Sequence, residues 1–565
     1  MAGELRSFER AALLVSGLVP AAMAVWWAPD VAPAEADATT IAALGFSYTG
    51  ALHVLDPLRG ALAKLLPLGT QSYRLAIVNA LILGLFGALL CDAQRRMLAR
   101  FDVRATRLSC GVALFATISI TISPSWQMEA ASVSATLLAT VLALAPFCFD
   151  PATDGGRRAV LLTLALALVA DPAAGVVGTA LVLTSNPHRA ALPKGRAILI
   201  SCALALTLIF ITTKGARVFT KVTTDDLYRL VPPREYRARF RTMLAGEWGV
   251  ASVAIAILGL VIGYLQGVRD LVRCAFILVV GALVLFLLSS RSAMPMLSCA
   301  LVIGLAMLAH VVLLRVRYAK LAFAKTSSGL IFVMLLAWPI ALGDAASLRL
   351  SVRIDQAQAR WDLLALGGLP KGAIIVTDNA QFLHRLTALR VARGIATDTT
   401  VIDPSSMAAP VSRAALRLPS LSVWHDLYFD THIGEFSLAR DASAHPLFAT
   451  KSKRFTRPVM RHLLPDGLIF RVEVEPRAQS DRRRVLELSR SLRQMLVLCT
   501  ENAKDGSLTE LTASLFRAQV LAAAAGGDRE LVPALLEDLT RVKPDHEFVE
   551  TMKRRLDGTS IDDLD

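Results

Sequence analysis

Apolar runs of nearly membrane-spanning length recur along this chain from Ala11 to about Ala341, and there they stop. A hydrocarbon core about 30 Å thick takes roughly 20 helical residues to cross. Val253–Leu265, Phe276–Leu288 and Ala300–Leu314 approach that length once their flanks are counted. From Ala345 to Asp565 the sequence reads as a water-soluble domain. With 54% hydrophobic and only 19% charged residues over 565 positions, the whole chain is too apolar for an ordinary soluble fold. The pattern implies a polytopic α-helical membrane protein with a large extramembrane part.

Spans are expected near Ala11–Trp27, Arg74–Cys91, Leu108–Ile122, Glu129–Phe147, Ala159–Ala170, Ala173–Thr184, Ala197–Thr213, Trp248–Leu265, Cys274–Ser289, Leu297–Leu314 and Ser328–Leu342, about eleven in all. The first lacks a small-residue cleavage site before the next polar loop and reads as a retained helix, not a signal peptide. An odd number of spans puts the termini on opposite sides. Alternate loops carry basic clusters at Arg95, Arg96 and Arg100, at Arg157 and Arg158, at Arg189 and Lys194, at Arg269 and Arg273, and at Arg315 and Lys320. Lys and Arg accumulate on the cytoplasmic side, so these loops and the N-terminus are expected there, with Ala345–Asp565 outside. The net charge of +14 then reports topology, and nucleic acid is excluded as a partner. Only Cys499 of the seven cysteines lies in the exported part, so that part has no internal disulfide. No pair has CxxC or zinc-finger spacing.

Chemistry is expected in the outer loops. The first, Ala28–Ser72, holds Asp30, Glu35, Asp37, His53 and Asp56, followed by Pro57–Leu66, whose apolar periodicity suits a helix lying in the interface. The loop Lys214–Glu247 carries Arg217, Lys221, Arg229, Arg234, Arg237, Arg239 and Arg241 on the side that the positive-inside rule disfavours. Guanidinium groups match phosphate oxygens in a planar fork, which makes these residues candidates for holding a lipid-linked phosphate. A solvated helix facing anionic headgroups is the alternative. Ala159–Ala170 and Ala173–Thr184 are short for spans and meet at Asp171–Pro172, a charge beside a helix breaker. Either the pair makes a tight outer turn, or the break lines a cavity.

Glu35-Ala-Asp37, Tyr48-Thr-Gly50, Leu65-Leu-Pro67-Leu-Gly69 and Tyr73-Arg74 through Asn79 resemble the first outer loop and second helix of a bacterial family of GT-C-type membrane glycosyltransferase-like proteins related to protein O-mannosyltransferases. Ser123-Pro-Ser-Trp126-Gln127 resembles the family's Trp-x-Gln segment at the fourth helix, and Arg291-Ser-Ala-Met-Pro295 its Arg-containing outer turn. In the exported part, Leu369 through Asp378-Asn379 and Thr397–Asp403 resemble a strand–helix–strand unit, and Arg457-Pro458-Val and Leu464–Val472 resemble later strands. The similarity runs from about Ala11 to Pro476 in the same order. It implies transfer of a sugar from a polyprenyl-phosphate carrier to a protein or glycan on the outer face of a bacterial inner membrane. An outer-loop carboxylate would act as general base or help hold a divalent cation.

By the same resemblance Asp37 and Glu35 are the expected catalytic carboxylates, with Glu129 as a substitute. Arg217, Lys221, Arg237, Arg239, Arg241 and Arg291 would contact the donor phosphate, and His53, Trp126 and Asp171 would line the cavity. The acidic motif stands at shifted spacing, and Ser132-Val133-Ser134 occupies the place of a Glu-Val-Tyr. A second reading therefore stays open, a catalytically silent relative serving as an assembly or interaction subunit. A transporter is disfavoured, since no inverted repeat is evident.

In the exported part Ala373–Thr377 and Thr400–Asp403 read as strands flanking a helix at Gln381–Arg393, an α/β unit with Asp378 at a strand end. Beyond Asp481 the chain is helical. Leu515–Ala525, Arg529–Leu539 and Glu547–Leu556 resemble tetratricopeptide-like hairpins suited to docking a protein partner. The expected divisions are a GT-C-like membrane domain over 1–344, an exported α/β domain over 345–476 and a helical module over 477–565.

Overall fold

The computed structural model describes residues 2–28, 55–99, 106–131, 136–185, 234–267, 269–287, 290–318, 338–347, 356–393, 398–402, 421–423, 426, 432–452, 454–502, 506–528, 530–544 and 546–557. They form two compact units, one up to residue 352 and one from 353 on. The expected span Ala197–Thr213 and most of Ser328–Leu342 lie outside the described residues.

The first unit is helical. Its elements are α1 (Ala2–Trp26), α2 (Asp56–Lys64), α3 (Gln71–Ala99), α4 (Thr106–Thr121), α5 (Pro124–Ala131), α6 (Thr136–Leu144), α7 (Asp154–Ala170), α8 (Pro172–Thr184), α9 (Arg234–Glu247), α10 (Gly249–Leu265), α11 (Arg269–Leu287) and α12 (Ala293–Tyr318). Among the described residues four helices are long and apolar enough to cross a membrane, within α1, α3, α11 and α12. Helices α4 and α5, bent by 55° at their junction, would make a fifth span if taken together. The span expected over Glu129–Phe147 falls on the end of α5 and on α6, with residues 132–135 outside the described residues, and a 3-10 turn follows at Ala145–Cys148. Pro124 explains the early start and Pro146 the late turn. A proline suits the first position of a helix, where its missing N–H costs nothing, and cannot continue an α ladder farther on.

The packing is inverted relative to a soluble bundle. On α10 the buried positions are small, Ser252, Ala256, Gly259 and Gly263, while Val250, Ile257, Leu258 and Leu265 are exposed. On α2, Leu58 and Leu62 are exposed, as is Leu65 just after it, whereas Arg59 is buried. Apolar side chains on the outside fit a lipid environment, and small residues inside let helix backbones approach closely. A Cβ on Gly259 would sit 1.9 Å from the Gly304 carbonyl oxygen, and one on Gly304 would sit 2.2 Å from that of Ala256. Helices α1 and α3 meet in the same manner, where a Cβ on Gly87 would lie 2.3 Å from the Ser16 carbonyl oxygen.

In the second unit α13 (Gln356–Leu366) precedes β1 (Ile374–Val376), α14 (Ala380–Arg393), β2 (Thr400–Ile402), α15 (Glu435–Ala444), β3 (Leu447–Ala449), β4 (Leu463–Asp466) and β5 (Ile469–Val472). The sheet order is β2-β1-β3-β5-β4. Strands β2, β1 and β3 are parallel, with Ile375 opposite Val401 and Phe448, and the β4–β5 hairpin adds antiparallel to β3. The hairpin turns at Gly467, whose φ of 62° favours glycine. The strand–helix–strand unit read from the sequence is present, with the connection α14 between parallel strands. The strand expected at Arg457–Val459 is not. Pro458 opens a 3-10 helix there, Pro458–His462.

Helices α16 (Gln479–Leu488), α17 (Arg490–Asn502), α18 (Gly506–Ala525), α19 (Leu531–Val542) and α20 (Glu547–Asp557) follow. One apolar cluster joins Ile375, Phe448 and Ile469 of the sheet to Leu496, Phe516, Leu535 and Met552 of these helices, and a second covers Ile374, Val376 and Phe470 on the other face. The alternation along β1 puts Ile375 on one side and its neighbours on the other. Two buried charge pairs tie the unit together. Arg385 holds Asp362 through Nε at 2.9 Å and Nη2 at 2.6 Å, and Arg482 meets Asp528 at 2.7 Å. Burial pushes the Asp528 carboxyl up and the Arg482 guanidinium down, against their mutual attraction.

The close crossing of α10 and α12 makes a direct prediction. Gly304→Leu should force these helices apart and lower stability by about 1–3 kcal/mol, the usual range for overpacking. Gly111→Ala, inside α4 at a position where an added Cβ meets nothing within 4 Å, should not lower the thermal midpoint in detergent.

Candidate functional site

The first unit's bundle encloses a polar cluster built from three segments distant in sequence. The first is Ser123–Gln127, where α4 ends and α5 begins. The second is Glu247–Trp248, where α9 gives way to α10. The third is Ser292–Ser298, at the start of α12. Glu247 is at its centre, 5% exposed. Its Oε1 accepts from the Ser125 hydroxyl at 2.9 Å and the Ser298 hydroxyl at 3.0 Å, and its Oε2 from the Ser125 backbone N–H at 3.2 Å. Trp248 Nε1 donates to Ser298 Oγ at 3.2 Å. Buried carboxyl groups are tolerated where donors converge on them, and here those donors come from two other helices.

The chain is shaped locally for this placement. Gly249 has a φ of 63°, a left-handed conformation that glycine adopts without strain, and it lets α10 leave α9 at an angle just after Glu247. Pro124 starts α5 afresh, so that the backbone N–H of Ser125, free at a helix N-terminus, can bond the Glu247 carboxyl. Trp126 lies flat against Phe86 of α3, with ring centroids 5.1 Å apart, and donates from Nε1 to the Pro295 carbonyl oxygen at 3.2 Å. Gln127 donates from Nε2 to the carbonyl oxygens of Thr121, at 2.8 Å, and Pro20, at 3.2 Å. Its Oε1 is buried and has no donor among the described residues. Thr140 of α6 donates to Ser292 Oγ at 3.0 Å, which anchors the turn before α12.

A neighbouring pair extends the polar band. Arg59 Nη1 donates to Asn79 Oδ1 at 2.8 Å, and Asn79 Nδ2 lies 3.4 Å from the Ala130 carbonyl oxygen at the end of α5. An arginine 1% exposed in such a bundle fits the rule that charges at membrane depth turn toward protein.

Several residues singled out in the sequence are placed by this geometry. Trp126 and the Arg291–Pro295 turn, about 170 residues apart, are brought together by the Trp126–Pro295 bond. Arg291 itself is half-buried in the turn that leads into α12. Glu129 is half-buried on α5, four residues after Ser125 and so on the same face. Because α5 begins at Pro124, Glu129 sits beyond the first turn, where the helix N-terminus favours a carboxylate much less. The basic loop is helical over its last part. Arg237 and Arg241 are exposed, one turn apart on α9, and Arg239 belongs to the same helix. Asp171 caps α8, accepting from the backbone N–H groups of Ala173 at 2.9 Å and Ala174 at 3.3 Å. That arrangement is the tight turn between two short helices, with α7 packed against α8. Glu35, Asp37, His53, Arg217 and Lys221 lie outside the described residues.

Sequence reasoning missed Glu247, Ser125, Ser298 and Arg59. A lone acid at the point where a basic stretch enters an apolar run was the available signal for Glu247. Nothing local marks the two serines, which acquire their role from Glu247, 122 residues from Ser125 and 51 from Ser298. Among the described residues no group of three or more His, Cys, Asp or Glu side chains could hold a metal ion, so no step is assigned to a cation here.

No protein-family model matches the sequence, and no curated protein matches it significantly. Among solved structures, ArnT from Cupriavidus metallidurans bound to undecaprenyl phosphate aligns over 74% of this chain and 96% of that one, at 14% identity and a TM-score of 0.39. The arabinofuranosyltransferase AftD from mycobacteria aligns over 80% of this chain and 36% of its own, at 16% identity and a TM-score of 0.41. Scores of this size fall short of a shared fold. What the chain's own helices define is a class, the multi-pass helical membrane protein.

The cluster predicts an asymmetry between two substitutions. Glu247→Ala removes the acceptor for three donors and should destabilise by at least about 1.5–3 kcal/mol, the range for hydrogen bonds to a charged group. Glu247→Gln keeps Oε1 for both serine hydroxyls and should lose less. Thermal melts of the two variants in detergent would order them, and equal losses would mean that the carboxyl group does not organise the cluster.

Proposed function

We propose that this protein transfers a sugar from a polyprenyl-phosphate carrier to a protein or glycan acceptor at the outer face of a bacterial inner membrane. The observation that supports this most is the convergence of motif segments. Ser123–Gln127 and Arg291–Pro295, each of which resembles a GT-C glycosyltransferase segment, meet around Glu247, the last residue of the basic helix that carries Arg237 and Arg241. In this reading the cluster is the scaffold and not the catalyst. It fixes α5, α9 and α12, so that the outer loops joined to them present reactive groups at one place.

The chemistry then runs through the loop acids. Asp37, or Glu35 beside it, takes the proton of the acceptor hydroxyl. The oxygen attacks the anomeric carbon, a new C–O bond forms, and the bond to the phosphate breaks with its electron pair leaving on polyprenyl phosphate. Arg217, Lys221, Arg237, Arg239, Arg241 and Arg291 supply guanidinium and ammonium groups to hold that phosphate before and after the step. His53 lines the acceptor side. The orientation this requires, with the second unit and the Lys214–Glu247 segment outside, rests on the distribution of Lys and Arg between loops.

The test is release of polyprenyl phosphate from a panel of polyprenyl-phosphate pentoses and hexoses, using purified protein in lipid nanodiscs. Wild-type protein should release it from at least one donor, and Asp37→Asn or the double variant with Glu35→Gln should slow release by roughly 10²–10⁴, the usual contribution of a general base. Donor binding should persist. Release unchanged in both variants, or absent from the wild type with every donor and acceptor tried, would reject the proposal in favour of a catalytically silent interaction subunit.

A further inference from the structure

The second unit contains an open groove of about 480 Å³, with α16 and α17 on one side and α19 on the other. On the α19 side the lining runs from Glu530 to Arg541, about 16 Å at about 1.5 Å per residue. That length accommodates about four or five residues of extended chain. It is long for a lone ion.

The groove is lined by four arginines and four acids, and they pair unevenly, with Glu487 and Glu530 sharing Arg483. Asp538 accepts from Arg493 at 2.7 Å. Glu487 and Glu530 both face Arg483, at 3.3 and 3.6 Å, and Glu537 meets Arg541 at 2.6 Å. Each acid in the lining therefore already has an arginine. Two donors are left over. Arg490 makes no ion pair with any described residue. Arg493, only 1% exposed, donates from Nη1 to the Gly467 carbonyl oxygen at 2.8 Å and stacks its guanidinium 4.7 Å from the centre of the Phe516 ring, yet its Nη2 has no acceptor among the described residues. A buried donor of this kind is costly unless an acceptor reaches it, and a guanidinium held flat by its neighbours is pre-oriented for a planar partner.

We propose that this groove binds a peptide segment through a carboxylate, with Arg493 Nη2 and Arg490 as the donors that receive it. The remaining lining favours a peptide over a phosphate. A dianion placed here would face Glu487, Glu530 and Glu537 at short range, whereas a peptide brings one negative charge to the two arginines and backbone N–H groups that can donate to those same carboxylates. Gln494, one helical turn after Arg490, offers an amide able to bond main chain. The inference is independent of glycosyl transfer, because it uses only side chains of the second unit.

The probe is a dye-labelled hexapeptide of Gly and Ser whose free carboxyl terminus is its one carboxylate, titrated against the full chain in detergent micelles by fluorescence anisotropy. Saturable binding is expected. It should weaken by roughly tenfold or more in Arg490→Gln, an exposed position where folding is not at risk, and when the probe's carboxyl terminus becomes an amide. Arg493→Lys, which keeps the charge and removes the fork, should weaken it as well, with a thermal melt confirming that the unit is folded. Absence of saturable binding, unchanged affinity in Arg490→Gln, or displacement of the probe by inorganic phosphate at equal concentration would each overturn the proposal. The last result would mark a plain anion site.

Discussion

A carboxyl group inside an apolar bundle has to be given donors by the protein, since lipid supplies none, and the hydrogen bonds to Glu247 are where this chain meets that requirement. Three helices contribute, and each has a local reason to end or begin at the cluster. Pro124 frees the N–H of Ser125, Gly249 turns the chain after Trp248, and the turn at Ser292 is pinned by Thr140. Loss of the carboxyl group would remove the acceptor of both serine hydroxyls and of a backbone N–H at once. The same constraint explains Arg59, which turns from lipid toward Asn79 while the leucines around it face outward.

Close packing of small residues carries the rest of the first unit. Water drives no association between helices in a bilayer, so contact depends on how nearly two backbones can approach. Where α10 crosses α12, Gly259 and Gly304 leave room for nothing larger than hydrogen. The second unit is built by the opposite logic, with a sheet buried on both faces and helices supplying Leu, Val and Phe to its core. The apolar cluster that spans Ile375, Leu496 and Leu535 shows the α/β part and the later helices sharing one interior.

Much of this was legible in the sequence, and the omissions have physical causes. Runs of apolar residues located α1, α3, α10, α11 and α12, because length and hydropathy suffice for helices in lipid. The pair Ala373–Thr377 and Thr400–Asp403 announced two strands around a helix through a short β-branched run at each, and the structure pairs them in parallel. Prolines misled the reading twice. At Pro124 a helix begins earlier than its apolar run suggests, and at Pro458 a 3-10 helix replaces a strand. The candidate site was half legible. Trp126 and the Arg291 turn stood out by resemblance, but Ser125 and Ser298 are ordinary until the fold sets them 3.1 Å apart. Asp171 drew attention as an acid beside a proline, and its carboxyl group is engaged by the first turn of α8.

The central claim is that α5 and α12 meet at the Glu247 cluster, and disulfide trapping tests it most directly. In a chain with its native cysteines replaced and a protease site inserted after Lys221, Ser125→Cys and Ser298→Cys would be introduced together and oxidised in native membranes. Hydroxyl oxygens 3.1 Å apart place the replacing sulfurs close to the bonding distance of about 2.05 Å. The account predicts that the two proteolytic fragments stay linked until reductant is added, whereas Ser109→Cys paired with Ser298→Cys gives separate fragments. Separation of the Ser125 and Ser298 fragments without reductant would contradict it.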